Sequence, residues 1–138
     1  MITVGEIMKS KYQTISPDIS VRDAAKKMAE LEIGMVVVVS EDKRSIVGIF
    51  SERDVMKKVV AKGLPYEHAT VANLMTTNVV TVEKKADVLD AWRMMKDGKF
   101  RHLPVVGAQG EIVGVLGARD ILDYLANNGQ LIDLLAKR

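Results

Sequence analysis

The sequence predicts an α/β (α+β) fold built from two copies of one β-α-β-β-α unit. Three observations carry this: the chain repeats itself, each copy alternates short apolar runs with helix-period stretches, and the turn signals recur at matching places. Slid by 67 residues, Val4 falls on Val71, Met8 on Met75 and Thr14 on Thr81. Val21, Asp23, Ala24 and Met28 likewise fall on Val88, Asp90, Ala91 and Met95. Further on the shift becomes 66, so that Ile46-Val47-Gly48 meets Ile112-Val113-Gly114 and Arg53-Asp54 meets Arg119-Asp120. The one-residue deletion lies between "SEDKRS" and "GAQGE", where a hairpin loop tolerates it. A unit of about 60 residues is marginal alone, so the copies are expected to pack on each other.

Each copy reads in the same order. A helical turn (Val4–Met8; Val71–Met75) precedes a short strand (Gln13–Ile15; Val79–Val82). An amphipathic helix follows. Ser20 is its N-cap in the first copy, with Val21, Ala24, Ala25, Met28 and Leu31 on one apolar face. In the second copy Asp87 caps, Val88, Ala91, Trp92 and Met95 form the face, and Gly98 ends the helix. Next come a buried strand, "MVVVV" or "LPVV", a short polar turn, and a third strand, "IVGIF" or "IVGVL". Pro104 inside "LPVV" calls for an edge position or an unpaired N–H. The last helix carries Val55, Met56, Val59 and Val60 in one copy and Ile121, Leu122, Leu125 and Ala126 in the other. The first helix suits a parallel crossover and the short turn an antiparallel hairpin. The expected boundaries are repeat 1 over 1–62, a linker over 63–70, repeat 2 over 71–127 and a C-terminal helical tail over 128–138.

Composition excludes several classes. Hydrophobic residues are 48% and charged residues 28% of 138, a globular balance. The net charge of +2 and separated lysine pairs fit a solvated helix face better than a nucleic-acid footprint. The absence of cysteine removes disulfides, thiol catalysis and zinc–thiolate sites. The N-terminus has no apolar signal core, and the longest apolar run is too short to span a bilayer, so a cytoplasmic protein is expected. Only seven Asn and Gln, with abundant charge, point to a thermophilic source.

The chemistry concentrates in "GIFSERD" (48–54) and "GVLGARD" (114–120), each a strand running into a helix. Helix N-termini present unpaired N–H groups and partial positive charge, which seats phosphate. Ser51 stands at the N-cap, Asp54 one turn on, and a carboxylate accepts two hydrogen bonds at once, as a ribose diol requires. Arg53 adds charge for a phosphate or a carboxylate. The plainer reading is a capping box, Ser-x-x-Asp. Gly117 removes the capping side chain from the second copy while Arg119 and Asp120 remain. "KFRHLPVV" sets Arg101 and His102 at the rim of a buried strand, placed either for a polyphosphate or as a solvated strand end.

With "VGEIM", "GIFSERD", "VANLM", "RHLPVV" and "GVLGARD" in this order, residues 2–127 resemble a tandem pair of CBS domains, the Bateman module, in a free-standing protein. The resemblance implies two repeats related by a pseudo-two-fold axis and an adenosyl ligand in the cleft between them: AMP, ADP, ATP or S-adenosylmethionine. An aspartate at this place binds ribose and the preceding Ser or Thr holds phosphate, so Ser51 and Asp54 match while Gly117 departs from the pattern. Each cleft is expected to be completed by the other repeat. For Asp54 that implicates Thr70, Asn73, Phe100, Arg101 and His102. For Asp120 and Arg119 it implicates the less polar Thr3, Ile33, Gly34 and Met35, which makes Asp54 the stronger site.

The expected function is a regulatory module that senses an adenosyl nucleotide and signals to a partner; the alternative is an interaction module that needs no ligand. No catalytic group, metal site or obligatory cofactor is expected, and a role for Mg²⁺ is left open. GxSxG, HExxH and P-loop patterns are missing. Surplus apolar surface on the last helices points to a homodimer.

Overall fold

The computed structural model describes residues 1–43 and 45–130. Most of the expected C-terminal tail, residues 131–138, lies outside the described residues. The elements run α1 (Val4–Ile7), β1 (Thr14–Ile15), α2 (Val21–Leu31), β2 (Met35–Val39), β3 (Ile46–Ser51) and α3 (Glu52–Asp54), which continues as a π-helix over Val55–Val60. The second series is α4 (Val71–Leu74), β4 (Val82–Glu83), α5 (Val88–Gly98), β5 (His102–Val106), β6 (Ile112–Gly117) and α6 (Ala118–Asn127). The fold is mixed α and β with two three-stranded sheets, ordered β1-β2-β3 and β4-β5-β6.

The chain divides into two compact units, and each is a repeat whose leading segment comes from the other copy. Tyr12–Val79 form one; Met1–Lys11 and the described residues from Val80 onward form the other.

In the first-repeat unit β1 runs parallel to β2 through the α2 crossover, and β2 pairs antiparallel with β3. Ser20 caps α2 by accepting from the Asp23 N–H at 3.0 Å. The helix closes on Glu32 in the left-handed region, φ 54°. Its core gathers Ile15, Val21, Ala24, Met28, Val36, Val38, Phe50, Val59 and Val71. Val71 belongs to α4, so the leading turn of the second sequence repeat is buried in this unit.

The second-repeat unit is built alike. Its core holds Val4, Val82, Ala91, Met95, Leu103, Val105 and Leu116. These stand at the repeat positions of Val71, Ile15, Ala24, Met28, Val36, Val38 and Phe50, so one packing scheme is used twice. A register shift between Val38 and Val39 recurs between Val105 and Val106. Both interrupt the ladder at the same place in the repeat.

Several details depart from expectation. Trp92 is 44% exposed and Leu31 45% exposed, not core. Successive helical residues are 100° apart, so the buried stripe of Ala91 and Met95 leaves Trp92 at its margin with a ring too large to cover. Helix α5 runs through Gly98 and closes on Lys99, φ 58°. Gly98 serves packing instead: an added Cβ would lie 1.9 Å from the Phe100 ring. Strand β4 begins at Val82, not Val79. In the first unit the Val37 N–H donates to the Gln13 carbonyl at 3.2 Å. Pro104, the equivalent of Val37, has no N–H to give, and the pairing starts later. Pro104 thus sits in a central strand, opposite Val115 on β6, where β4 has not yet begun.

Candidate functional site

Each unit presents one strand-to-helix junction with an aspartate in its first turn. At the first, β3 ends at Ser51 and the helix starts at Glu52. Asp54 is the one buried charged residue among those described, 8% exposed. Burial of a carboxylate is costly unless its oxygens are paired. Asp54 Oδ2 accepts from the Ser51 N–H at 2.9 Å and from the Ser51 hydroxyl at 3.1 Å. Oδ1 meets Lys58 Nζ at 3.0 Å and accepts from the Thr76 hydroxyl at 3.4 Å. The Ser51 Oγ in turn accepts from the Asp54 N–H at 3.2 Å, completing the capping box. The hydroxyl considered as a phosphate donor is thereby directed at Asp54.

Lys58 and Thr76 were not foreseen. Lys58 follows Asp54 by one turn, an i,i+4 pair, and also donates to the Leu74 carbonyl at 2.8 Å. Thr76 arrives because the segment after α4 lies against β3. The Ile49 N–H donates to the Thr76 carbonyl at 3.0 Å and the Thr76 N–H to the Ile49 carbonyl at 2.9 Å. The spacing of Asp54 and Lys58 on one helix was the signal available for the first; the second needs the exchange of leading segments.

At the other junction β6 ends at Gly117 and α6 begins at Ala118. Asp120 Oδ2 accepts from the Gly117 N–H at 2.8 Å, so half of the box survives without a capping side chain. Asp120 Oδ1 lies 3.4 Å from Lys9 Nζ, on a side chain 72% exposed. Lys9 stands at the repeat position of Thr76, and its backbone pairs with Val115 as Thr76 pairs with Ile49. Tyr124 stands where the first repeat has Lys58. The two carboxylates therefore receive their cations from different places in the repeat.

The hairpins bring further candidates to the junctions. Met35 pairs with Ser51, and the Glu52 N–H donates to the Gly34 carbonyl at 2.9 Å, which places Ile33, Gly34 and Met35 beside the Asp54 turn. His102 pairs with Gly117, and the Ala118 N–H donates to the Arg101 carbonyl at 2.8 Å, which places Phe100, Arg101 and His102 beside the Asp120 turn. The expectation set each triplet against the opposite aspartate; an antiparallel hairpin necessarily puts the start of one strand next to the end of its neighbour. A Cβ on Gly117 would lie 3.4 Å from the His102 ring, so the ring rests on this glycine. Thr70 and Asn73 lie in the unit of Asp54, Thr70 pairing with Ser20, and Thr3 lies in the unit of Asp120, pairing with Asp87. Arg53 and Arg119 are exposed on the first turns.

These two junctions, in a β-α-β-β-α unit used twice, coincide with a match to the CBS domain over residues 4–61 and 71–127. The chain belongs to the CBS-domain family. An uncharacterized protein from Methanopyrus kandleri is 36% identical over 121 residues, 88% of this chain and 61% of that protein. The chain thus spans less than two thirds of that relative's length. Among solved structures, a CBS domain protein from Pyrobaculum aerophilum complexed with AMP is 28% identical, with a TM-score of 0.80 over 91% of this chain and 99% of that one. The CBS domain pair of protein MJ0100, in complex with 5-methylthioadenosine and S-adenosyl-L-methionine, is 26% identical, with a TM-score of 0.80 over 90% and 99%. Among the described residues no helix is long and apolar enough to cross a membrane, and no cluster of His, Asp or Glu could hold a metal ion.

Proposed function

We propose that this CBS pair is a regulatory module, not a catalytic one, that binds an adenosyl ligand at its strand-to-helix junctions and passes the change to a partner. The observation that carries the reading is the recurrence of one carboxylate geometry. Asp54 and Asp120 are each fixed by the N–H of the residue three before, at 2.9 and 2.8 Å. A carboxylate held this way keeps a defined direction for accepting a vicinal diol. Similar CBS proteins bound to AMP and to S-adenosylmethionine support the ligand class.

In this proposal Asp54 and Asp120 hold ribose, while Ser51, Arg53, Thr70, Asn73, Phe100, Arg101 and His102 contribute phosphate or base contacts. AMP, ADP, ATP and S-adenosylmethionine are the ligands to compare. A module acting without a ligand is favoured by one fact: the partners of Asp54 already come from its own chain.

Thermal unfolding with a nucleotide panel separates the two. A ligand at about 100 times its Kd should stabilise the fold by about 2.7 kcal/mol. An unchanged melting temperature with every adenosyl compound favours the ligand-independent module.

A further inference from the structure

A carboxylate has about four lone-pair directions. At Asp54 all four are taken: by the Ser51 N–H at 2.9 Å, the Ser51 hydroxyl at 3.1 Å, Lys58 Nζ at 3.0 Å and the Thr76 hydroxyl at 3.4 Å. At Asp120 the described contacts take two, the Gly117 N–H at 2.8 Å and Lys9 Nζ at 3.4 Å. The difference lies mainly on Oδ1. There Asp54 meets the ammonium of a lysine whose side chain is only 34% exposed and which is held a second time by the Leu74 carbonyl at 2.8 Å. Asp120 instead meets the tip of a lysine that is 72% exposed.

We infer that Lys58 is an internal competitor for the ligand diol at Asp54, a specificity-determining residue that makes the Asp54 junction the weaker of the two. A diol donating to Asp54 must displace the Ser51 box, the Thr76 hydroxyl or the Lys58 ammonium, and to free both directions of Oδ1 Lys58 has to leave as well as Thr76. The box donors are the backbone N–H and hydroxyl of Ser51, fixed by the turn. Lys58 ends a flexible four-carbon stem, so it is the partner that yields. Tyr124 cannot play this part at Asp120, because a phenol brings no cation. The order of filling is therefore Asp120 first, the reverse of the order the sequence suggests. This rests on the adenosyl-binding reading above.

The test is calorimetric titration of the intact chain with adenosine, which carries the diol and no phosphate. Asp120→Asn isolates the Asp54 junction. In that background Lys58→Met keeps the apolar stem and removes the charge, and should tighten adenosine about tenfold. Lys58→Arg keeps the charge and should not reproduce the gain. Unchanged or weaker binding in Lys58→Met, with AMP still binding the wild-type chain, overturns the competitor alone. Absence of binding by AMP and adenosine in every variant overturns it together with the adenosyl-binding reading.

Discussion

Gly48 lies directly against Thr76. A Cβ at Gly48 would sit 2.9 Å from the Thr76 carbonyl oxygen and 2.6 Å from the Met75 sulfur. Gly114 stands in the same relation to Lys9 and Met8, at 2.7 and 2.6 Å. These glycines let the segment following each leading turn lie flat on the last strand of a unit. That contact is what brings Thr76 to Asp54 and Lys9 to Asp120.

Gly48→Ala and Gly114→Ala should each destabilise the fold by about 1–3 kcal/mol, the usual cost of forcing volume into a filled site. The sulfur can swing aside, but the carbonyl oxygen cannot move without breaking the paired N–H···O bonds to Ile49 or Val115. Urea unfolding of the two variants measures the loss, and a change below about 0.5 kcal/mol would show that the segment is not held there.

Ser51→Ala removes a hydroxyl that both accepts from the Asp54 N–H and donates to its carboxylate. Loss of such a cap costs about 1 kcal/mol, seen as a drop of a few degrees in Tm. In the second repeat Gly117 already lacks the side chain, so no such cap is there to lose.

The repeat, its element order and both junctions were legible because they rest on local signals. Apolar spacing marked Ala24 and Ala91 as core, and Ser20 and Asp87 announced helix starts. The site was legible only in part. Asp54 and Ser51 could be found from a capping pattern, and the plainer capping geometry is present in full. Thr76 and Lys9 could not be found, since their approach depends on leading segments that pack in the unit of the other repeat. The placement of Gly34 beside Ser51 and of His102 beside Gly117 follows from hairpin geometry. The π-helical stretch Val55–Val60 has no local sequence signature, and its counterpart in α6 is regular.

Met56 and Leu122 occupy one repeat position and are 55% and 54% exposed. Val60, one turn beyond Met56, is 71% exposed. We propose that these faces support self-association. Native mass spectrometry of the wild-type chain should show a dimer, and Met56→Lys with Leu122→Lys should shift it to monomer with the far-UV spectrum unaltered. A wild-type monomer at micromolar concentration would remove this role.

Phe50 is fully buried in the first-repeat core, whereas Leu31 is 45% exposed. Phe50→Ala should cost about 3–5 kcal/mol, and Leu31→Ala less than about 1 kcal/mol. Parallel denaturant curves check whether the burial pattern is the one that holds the unit together.

The most direct measurement is titration calorimetry of AMP, ATP and S-adenosylmethionine into the wild-type chain and into the double variant Asp54→Asn, Asp120→Asn. Saturable heat is expected with at least one of the three for the wild type and none for the double variant. Equal binding by both proteins, or no heat from any ligand up to millimolar concentration, would contradict the adenosyl-binding reading.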